Sequence, residues 1–595
     1  MRRSQLPFSS SPHRSIRRRV ASSVAISASF ALLSTLIGGP AVAAPGDPIQ
    51  SAVSISEPST CSSRIYVSPT GNNTANGATP QTAWQTVARV NSATVLPGTC
   101  VLFEDSSTFA GRLTLSGGDA NNAASRVTVG TYITGTPTTA TRARLRGLLI
   151  LNVGGVTVQD LTVIANGTTV LNGIELSNTL GNNNRRPGVT VQRVDVTGFP
   201  LSGILIGGKN ASNTSKSGFS NVLIQQVDSY GNGDAGIQSF GNLCDANNAN
   251  YSHLNVTVRQ VAVFDNLGVP NKMVPNCSGA MEATNSGNGI VLGDVKDSLI
   301  EQSFAFRNGA NNNFGGGGPV GIWAYNADNI VIQNNTSYSN RSATKDGGGF
   351  DLDGGVINSV MQYNYSYDNT GAGYLVFQYE GARPLNNNMV RYNISRNDGR
   401  GVAGGIAYGG IVIGKFGNVT GPTNTFVYGN SIYVSPSASS PEPPAGIRVW
   451  NGAEAYFYNN SIHTSGAAPL VSVEANTSTQ FLGNNYFRAD GFKAYTNAAN
   501  FSDVGATLVS TLAGWADGYK TASTPGYATT VVTSSAVFVD ANNFGLGATS
   551  ALRNAGVNVT TVGDDVRFPV TRDYFGVTLP PANGQQYSIG ASQGL

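Results

Sequence analysis

Along most of the chain, apolar residues alternate with polar or small ones at a period of two, in short runs opened by glycine. The runs are GILIG from Gly203, GIQSF from Gly236, GIVLG from Gly289 and GIWAY from Gly321. They continue as GFDLD from Gly349, GYLVF from Gly373, GIVIG from Gly410 and GIRVW from Gly446. Successive glycines stand 33, 53, 32, 28, 24, 37 and 36 residues apart. A strand motif recurring at that interval predicts a solenoid in which each unit buries its apolar side against the next and insertions become loops. A second strand pattern accompanies the first, as in NIVIQNNTSY from Asn329 and NSVMQYNYSY from Asn358. Aligning these copies brings Asn335, Asn364, Asn393, Asn430, Asn460 and Asn484 into register, which predicts a structural asparagine ladder along the stack.

The same period assigns the faces. Ile322 and Ala324, Phe350 and Leu352, and Tyr374 and Val376 point into the coil, and the residues between them point out. Outward pairs then read Leu205/Gly207, Gln238/Phe240, Val291/Gly293, Trp323/Tyr325, Asp351/Asp353, Leu375/Phe377, Val412/Gly414 and Arg448/Trp450. One rung thus presents two carboxylates, with an aromatic pair just before it and Phe377 just after.

At its front the chain carries IYVSPTGNNTANG (Ile65–Gly77), TAWQTVARVNSA (Thr82–Ala93) and PGTCVLFEDSSTFAGRLTL, and near its end RDYFGVTLPPANGQQYSIGAS. With the repeated rungs, these segments resemble the pectate-lyase-like β-helix superfamily over most of the chain. The resemblance implies an all-β, right-handed parallel β-helix with a short N-terminal capping helix, Trp84, Val87 and Val90 sharing one helical face. It does not imply one activity, because lyases, hydrolases, epimerases and phage adhesins share the fold. The polygalacturonase landmarks NTD, GHG and RIK are absent, as is the WIDH pattern of pectate lyases. The expected organisation is residues 44–135 as cap and first coils, 136–490 as the helix with its groove, and 491–595 as final coils or a cap.

Residues 1–43 read differently. Arg2, Arg3, Arg14, Arg17, Arg18 and Arg19 precede an apolar run to about Ile37, and Ala41-Val42-Ala43 follows, the pattern of a cleaved export signal. Six of the 36 Lys and Arg and none of the 33 Asp and Glu lie there, so the remainder carries 30 against 33, a net of −3. That balance argues against a nucleic-acid partner, and no later segment is apolar enough to span a membrane. The expected product is a secreted monomer, extracellular or periplasmic. Four cysteines in an exported chain predict two disulfides, and proximity favours Cys61–Cys100 and Cys244–Cys277 among the three possible connectivities. The second pair would staple the enlarged 53-residue step.

The chemistry expected of such a face is carbohydrate chemistry. Asp351 and Asp353 share a face at roughly 6.5–7 Å, within reach of the carboxyl separations glycosidases use. Glu380, at the start of the next loop, is a third candidate acid. Trp323, Tyr325, Phe377 and Trp450 offer rings for sugars to stack on. Lys345, Asp346, Lys415 and Arg448 complete the candidate groove. The reading is a glycoside hydrolase acting on a polysaccharide or oligosaccharide, with no cofactor and no metal. A Ca²⁺-dependent lyase would use the same face differently, with Asp346, Asp351 and Asp353 as oxygen ligands and Lys345, Lys415 or Arg448 as base. A non-catalytic glycan-binding adhesin is the third possibility. His253 and His463 stand at unrelated positions, so a Ser-His-Asp triad is not expected.

Overall fold

The computed structural model describes residues 55, 57–136, 140–210, 214–244, 249–401, 408–436, 443–450, 452–474, 478–487, 494–497, 508–509, 544–560, 568–579 and 586–594. The expected export signal 1–43 lies outside the described residues. Among those described, 36 strands pair into one sheet system, parallel throughout except for its last pair, Ala494–Asn497 with Leu508–Val509. The chain is a right-handed parallel β-helix. The outward carboxylate pair belongs to one of three strand columns, which we call the groove sheet. Its rungs include Ala235–Gly241, the first part of Asn288–Glu301, the first part of Val320–Gln333, Gly348–Asp353, Tyr374–Tyr379, Gly409–Phe416 and Ala445–Val449.

Register follows the glycine motifs. Trp323 pairs with Asp351, Asp351 with Leu375, Asp353 with Phe377, Leu375 with Val412 and Val412 with Arg448. Parity assigns the interior as expected: Ile322, Ala324, Phe350, Leu352, Tyr374 and Val376 are fully buried, and each large one contributes about 1.5–3 kcal/mol by leaving water. Phe350 and Tyr374 stack one above the other with ring centroids 5.2 Å apart.

The bend between the second and third columns is a single residue in left-handed conformation, such as Asn334 (φ 56°) or Tyr363 (φ 57°), followed by an inward asparagine. The predicted ladder forms there. Asn335, Asn364, Asn393, Asn430 and Asn460 each donate Nδ2 to the Oδ1 of the next, the last being Asn484, at 3.0, 3.1, 3.1, 2.9 and 2.9 Å. A second ladder, not foreseen from the sequence, runs from Asn232 through Asn266, Asn308, Asn340 and Asn369 to Asp398. Burial pushes the Asp398 carboxyl up to about 7 against the bonds it accepts.

The N-terminal cap differs in detail from expectation. The helix is only Val87–Asn91, because the Thr86 side chain caps it by accepting from Arg89 N. Trp84 precedes it in extended chain bridged to Val67, yet Trp84, Val87 and Val90 are all buried over the coil end. Both disulfides form as Cys61–Cys100 and Cys244–Cys277.

The described parts of 544–594 contain no strand. They lie along the outside of the coil, where Val557, Tyr574, Leu579 and Tyr587 pack with Tyr363, Tyr392 and Tyr428. Arg391, fully buried, donates to the Phe568 carbonyl at 2.6 Å and to the Tyr428 hydroxyl at 2.7 Å.

Candidate functional site

Three aspartates converge on the rung Gly348–Asp353. Asp346 sits in the turn before it, where Gly347 (φ +73°) lets the chain reverse. The second residue of the strand is Gly349, where a Cβ would come within 2.2 Å of Ser366 Oγ. Asp351 and Asp353 follow on the outward face.

Each carboxyl has a distinct environment. Asp346 is held by two donors: the Tyr408 hydroxyl at 2.6 Å on Oδ1 and the Gly318 N–H at 2.6 Å on Oδ2. Tyr408 Oη in turn accepts the Asp346 N–H at 2.9 Å. Burial raises the Asp346 carboxyl, while these donors and the Lys345 charge pull it back. Asp351 is 3% exposed, against an expectation of solvent exposure, and its Oδ1 has no hydrogen-bond partner. Burial first, then Asp353 and Asp346, push it well above the ordinary carboxylate range. Asp353 is half-buried, and burial with the Asp346 charge raises it to about 8 despite a bond from the Gly354 N–H. Such neighbours titrate together as a pair rather than as separate groups.

Aromatic rings frame this rung. The Tyr325 ring occupies the space a Cβ at Gly293 would take, and the Tyr379 ring does the same over Gly354. Both phenols are pushed up, by burial first and then by nearby carboxylates, Asp353 among them. Trp323 departs from expectation. It is 7% exposed, because its indole N–H donates to Asn288 Oδ1 at 3.0 Å and its ring packs on Val291 and Val320. It therefore supports Tyr325, 5.5 Å away centroid to centroid, rather than facing solvent. On the other side Phe377 meets Trp450 edge to face at 5.6 Å, and Tyr408 meets Trp450 at 6.0 Å, over buried Leu375 and Val412. Tyr325, Asp353, Phe377, Tyr379 and Trp450 all keep partial exposure.

Three candidates lie apart from this cluster. Glu380 is exposed in the turn after Tyr379, its carboxylate against Gly417, and it is not among the groups perturbing Asp351 or Asp353. Lys415 donates Nζ to the Val419 carbonyl at 2.6 Å. Arg448 is buried three rungs from Asp351 and donates to the Pro443 carbonyl at 2.9 Å. Lys345 stays at the rim, its ammonium 5.9 Å over the exposed Phe416 ring. Both remaining histidines are buried, and burial drives both imidazoles down to about 4. Among the described residues, no three His, Cys, Asp or Glu side chains converge as metal ligands.

Tyr379 and Tyr408 belong to the cluster and escaped the sequence reading. Tyr379 was within reach, since Leu375, Phe377 and Tyr379 share one parity. Tyr408 precedes its strand in a loop, where no period marks it.

No family model matches the sequence, and no curated protein matches it. Solved structures of similar fold include the GH136 lacto-N-biosidase of Eubacterium ramulus, 15% identical over 70% of this chain, with a TM-score of 0.44. This chain spans 65% of that protein's length. They also include pectate lyase Pel9A (16% identity, 90% of this chain and 97% of that one, TM-score 0.37). A third is the mannuronan C-5 epimerase AlgE6 A-module of Azotobacter vinelandii (14% identity, 64% and 90%, TM-score 0.40).

Proposed function

We propose that the protein is an exported glycoside hydrolase whose chemistry is carried by the Asp351–Asp353 rung. The observation that supports this reading is the placing of Asp351, almost fully buried, and the half-buried Asp353 on one outward face of a single strand, beside a third carboxyl, Asp346, that two donors favour in its charged form. A glycosidic bond needs a proton delivered to its leaving oxygen and negative charge beside the developing oxocarbenium ion. Asp353 reaches the surface and holds its proton up to about pH 8, which suits the donor. Cleavage of the C–O bond consumes that proton, water adds to the anomeric carbon, and the proton water gives up passes to Asp346, whose charged form the Tyr408 hydroxyl and the Gly318 N–H favour, and from there back to Asp353. Tyr325, Tyr379, Phe377 and Trp450 supply the rings that hold sugars against the rung. The likeness to solved carbohydrate-active β-helix enzymes is consistent with this reading and does not choose among their reactions.

The lyase alternative would need Ca²⁺ ligands beyond the three aspartates and a base near them. Lys415 and Arg448 are engaged elsewhere, which disfavours it. A panel of polysaccharides scored for new reducing ends and for ultraviolet absorbance of unsaturated products tests the proposal. Hydrolysis gives reducing ends without absorbance and survives chelator; an absorbing product lost in chelator identifies a lyase, and unchanged glycan binding without either identifies an adhesin.

A further inference from the structure

The enlarged step between Gly236 and Gly289 builds a feature that the hydrolase reading does not use. Strand Ala235–Gly241 crosses the outward face three rungs before Asp351, roughly 14 Å along the stack. At its amino end, Asp234 accepts Lys272 Nζ at 2.7 Å, Ser286 Oγ at 2.7 Å and Gln238 Nε2 at 3.0 Å. Lys272 opens an antiparallel hairpin, Met273–Pro275 with Met281–Ala283, and Thr284 N closes it on the Lys272 carbonyl. Both legs of the hairpin therefore root at this edge, where Asn271 and Asn313 also bond to each other at 2.9 Å.

At the other edge the strand ends at Gly241, and Asn242 turns the chain by accepting the Cys244 N–H at 2.7 Å. Cys277, in the hairpin turn, is bonded to Cys244 with Cα atoms 5.3 Å apart. Two loops leaving opposite ends of a strand roughly 20 Å long meet only over its outward face. The inward side is filled core, and neighbouring rungs occupy both flanks. Yet the hairpin does not pack on that face: Met273, Pro275, Met281, Glu282 and Ala283 are exposed, and Gln238 and Phe240 beneath keep partial exposure. A hairpin seated on the sheet would bury one of its sides; this one stands clear of it.

We propose that the Cys244–Cys277 disulfide closes a strap over the substrate groove, beneath which a glycan chain passes to reach the Asp351–Asp353 rung. The site then takes unbranched chains threaded from an end. This rests on the hydrolase reading for the nature of the substrate. It makes the strap a determinant of how a polysaccharide is attacked, not of whether bonds break.

The test compares the full-length protein with its Cys244→Ser/Cys277→Ser variant on linear galacturonan, xylan, arabinan and β-glucan. Two quantities are read: viscosity lost per reducing end released, and retardation in native gels cast with each polysaccharide. The wild type is expected to release ends with little loss of viscosity, and the variant to lose viscosity several-fold faster per end and migrate with less retardation. Cys277 is exposed, so mild reduction of the wild type reproduces the change without relying on the variant's folding. Equal viscosity loss per end in both forms, or equal retardation before and after reduction, overturns the strap. Absence of reducing ends from every polysaccharide overturns the hydrolase reading instead, and retardation alone then decides the strap.

Discussion

Replacing Asp353 with asparagine should make the protein more stable, and increasingly so as pH rises. Asp353 has a native value of about 8 against an ordinary 3.8. Between those values the native carboxyl keeps a proton that the unfolded chain has released. Its contribution to stability is whole below about pH 4 and is lost as pH climbs through the folded value. At about 1.4 kcal/mol per pH unit, discounted for the partial exposure of the group, the cost is roughly 1–2 kcal/mol at pH 5 and roughly 3–5 kcal/mol at pH 8. Asparagine cannot ionise and retains an oxygen for the Gly354 N–H. The variant's advantage in urea denaturation should therefore grow by about 2–3 kcal/mol from pH 5 to pH 8. Raised groups away from this rung, such as Asp398 and Asp228 at about 7, act equally in both proteins and cancel in the difference, while Asp351, relieved of the Asp353 charge, shifts the difference in the same direction. An advantage that stays constant with pH, or a variant less stable at pH 8, would show that Asp353 is not held protonated by its surroundings.

Asn364→Ala removes one step of the asparagine ladder, leaving the Asn335 N–H without its acceptor and the Ile332 carbonyl without its amide donor. At about 1–3 kcal/mol for each of the two buried groups left unsatisfied, a loss of about 2–6 kcal/mol is expected in the unfolding free energy measured by urea denaturation. Tyr408→Phe deletes the hydroxyl bonded to Asp346 Oδ1. Turnover should fall about tenfold, the worth of one hydrogen bond to a charged group, and the alkaline limb of the pH–rate profile should move down as Asp346 loses charge beside Asp353.

The coil was legible because its signal is repeated. A period of two across eight glycine-led runs assigns the inward residues of those rungs, and the register of Trp323, Asp351 and Leu375 follows from simple alignment. Depth was not legible. Parity says that Trp323 and Asp351 point outward, but not that Asn288 and Val320 cover Trp323 or that Asp351 is almost fully buried. Charge partners were equally hidden, since the Gly318 N–H and the Tyr408 hydroxyl reach Asp346 from segments 28 and 62 residues away. Glu380 looked close in sequence to the acid rung, yet the turn after Tyr379 carries its carboxylate outward to Gly417. The second ladder lay within reach of the same alignment, since Asn232, Asn266, Asn308, Asn340 and Asn369 each stand two residues past the end of their strand, and the last two stand five residues after Asn335 and Asn364.

The claim that matters most is that Asp353 and Asp351 break glycosidic bonds. It is tested by measuring reducing ends released by wild type, Asp351→Asn and Asp353→Asn on whichever polysaccharide the wild type cleaves, across pH 4–9. The account predicts wild-type activity that declines above about pH 8, and a loss of at least about a hundredfold in Asp353→Asn, in keeping with the worth of a general acid. Asp351→Asn should be comparably impaired while remaining folded. Turnover by Asp353→Asn near the wild-type rate would contradict it.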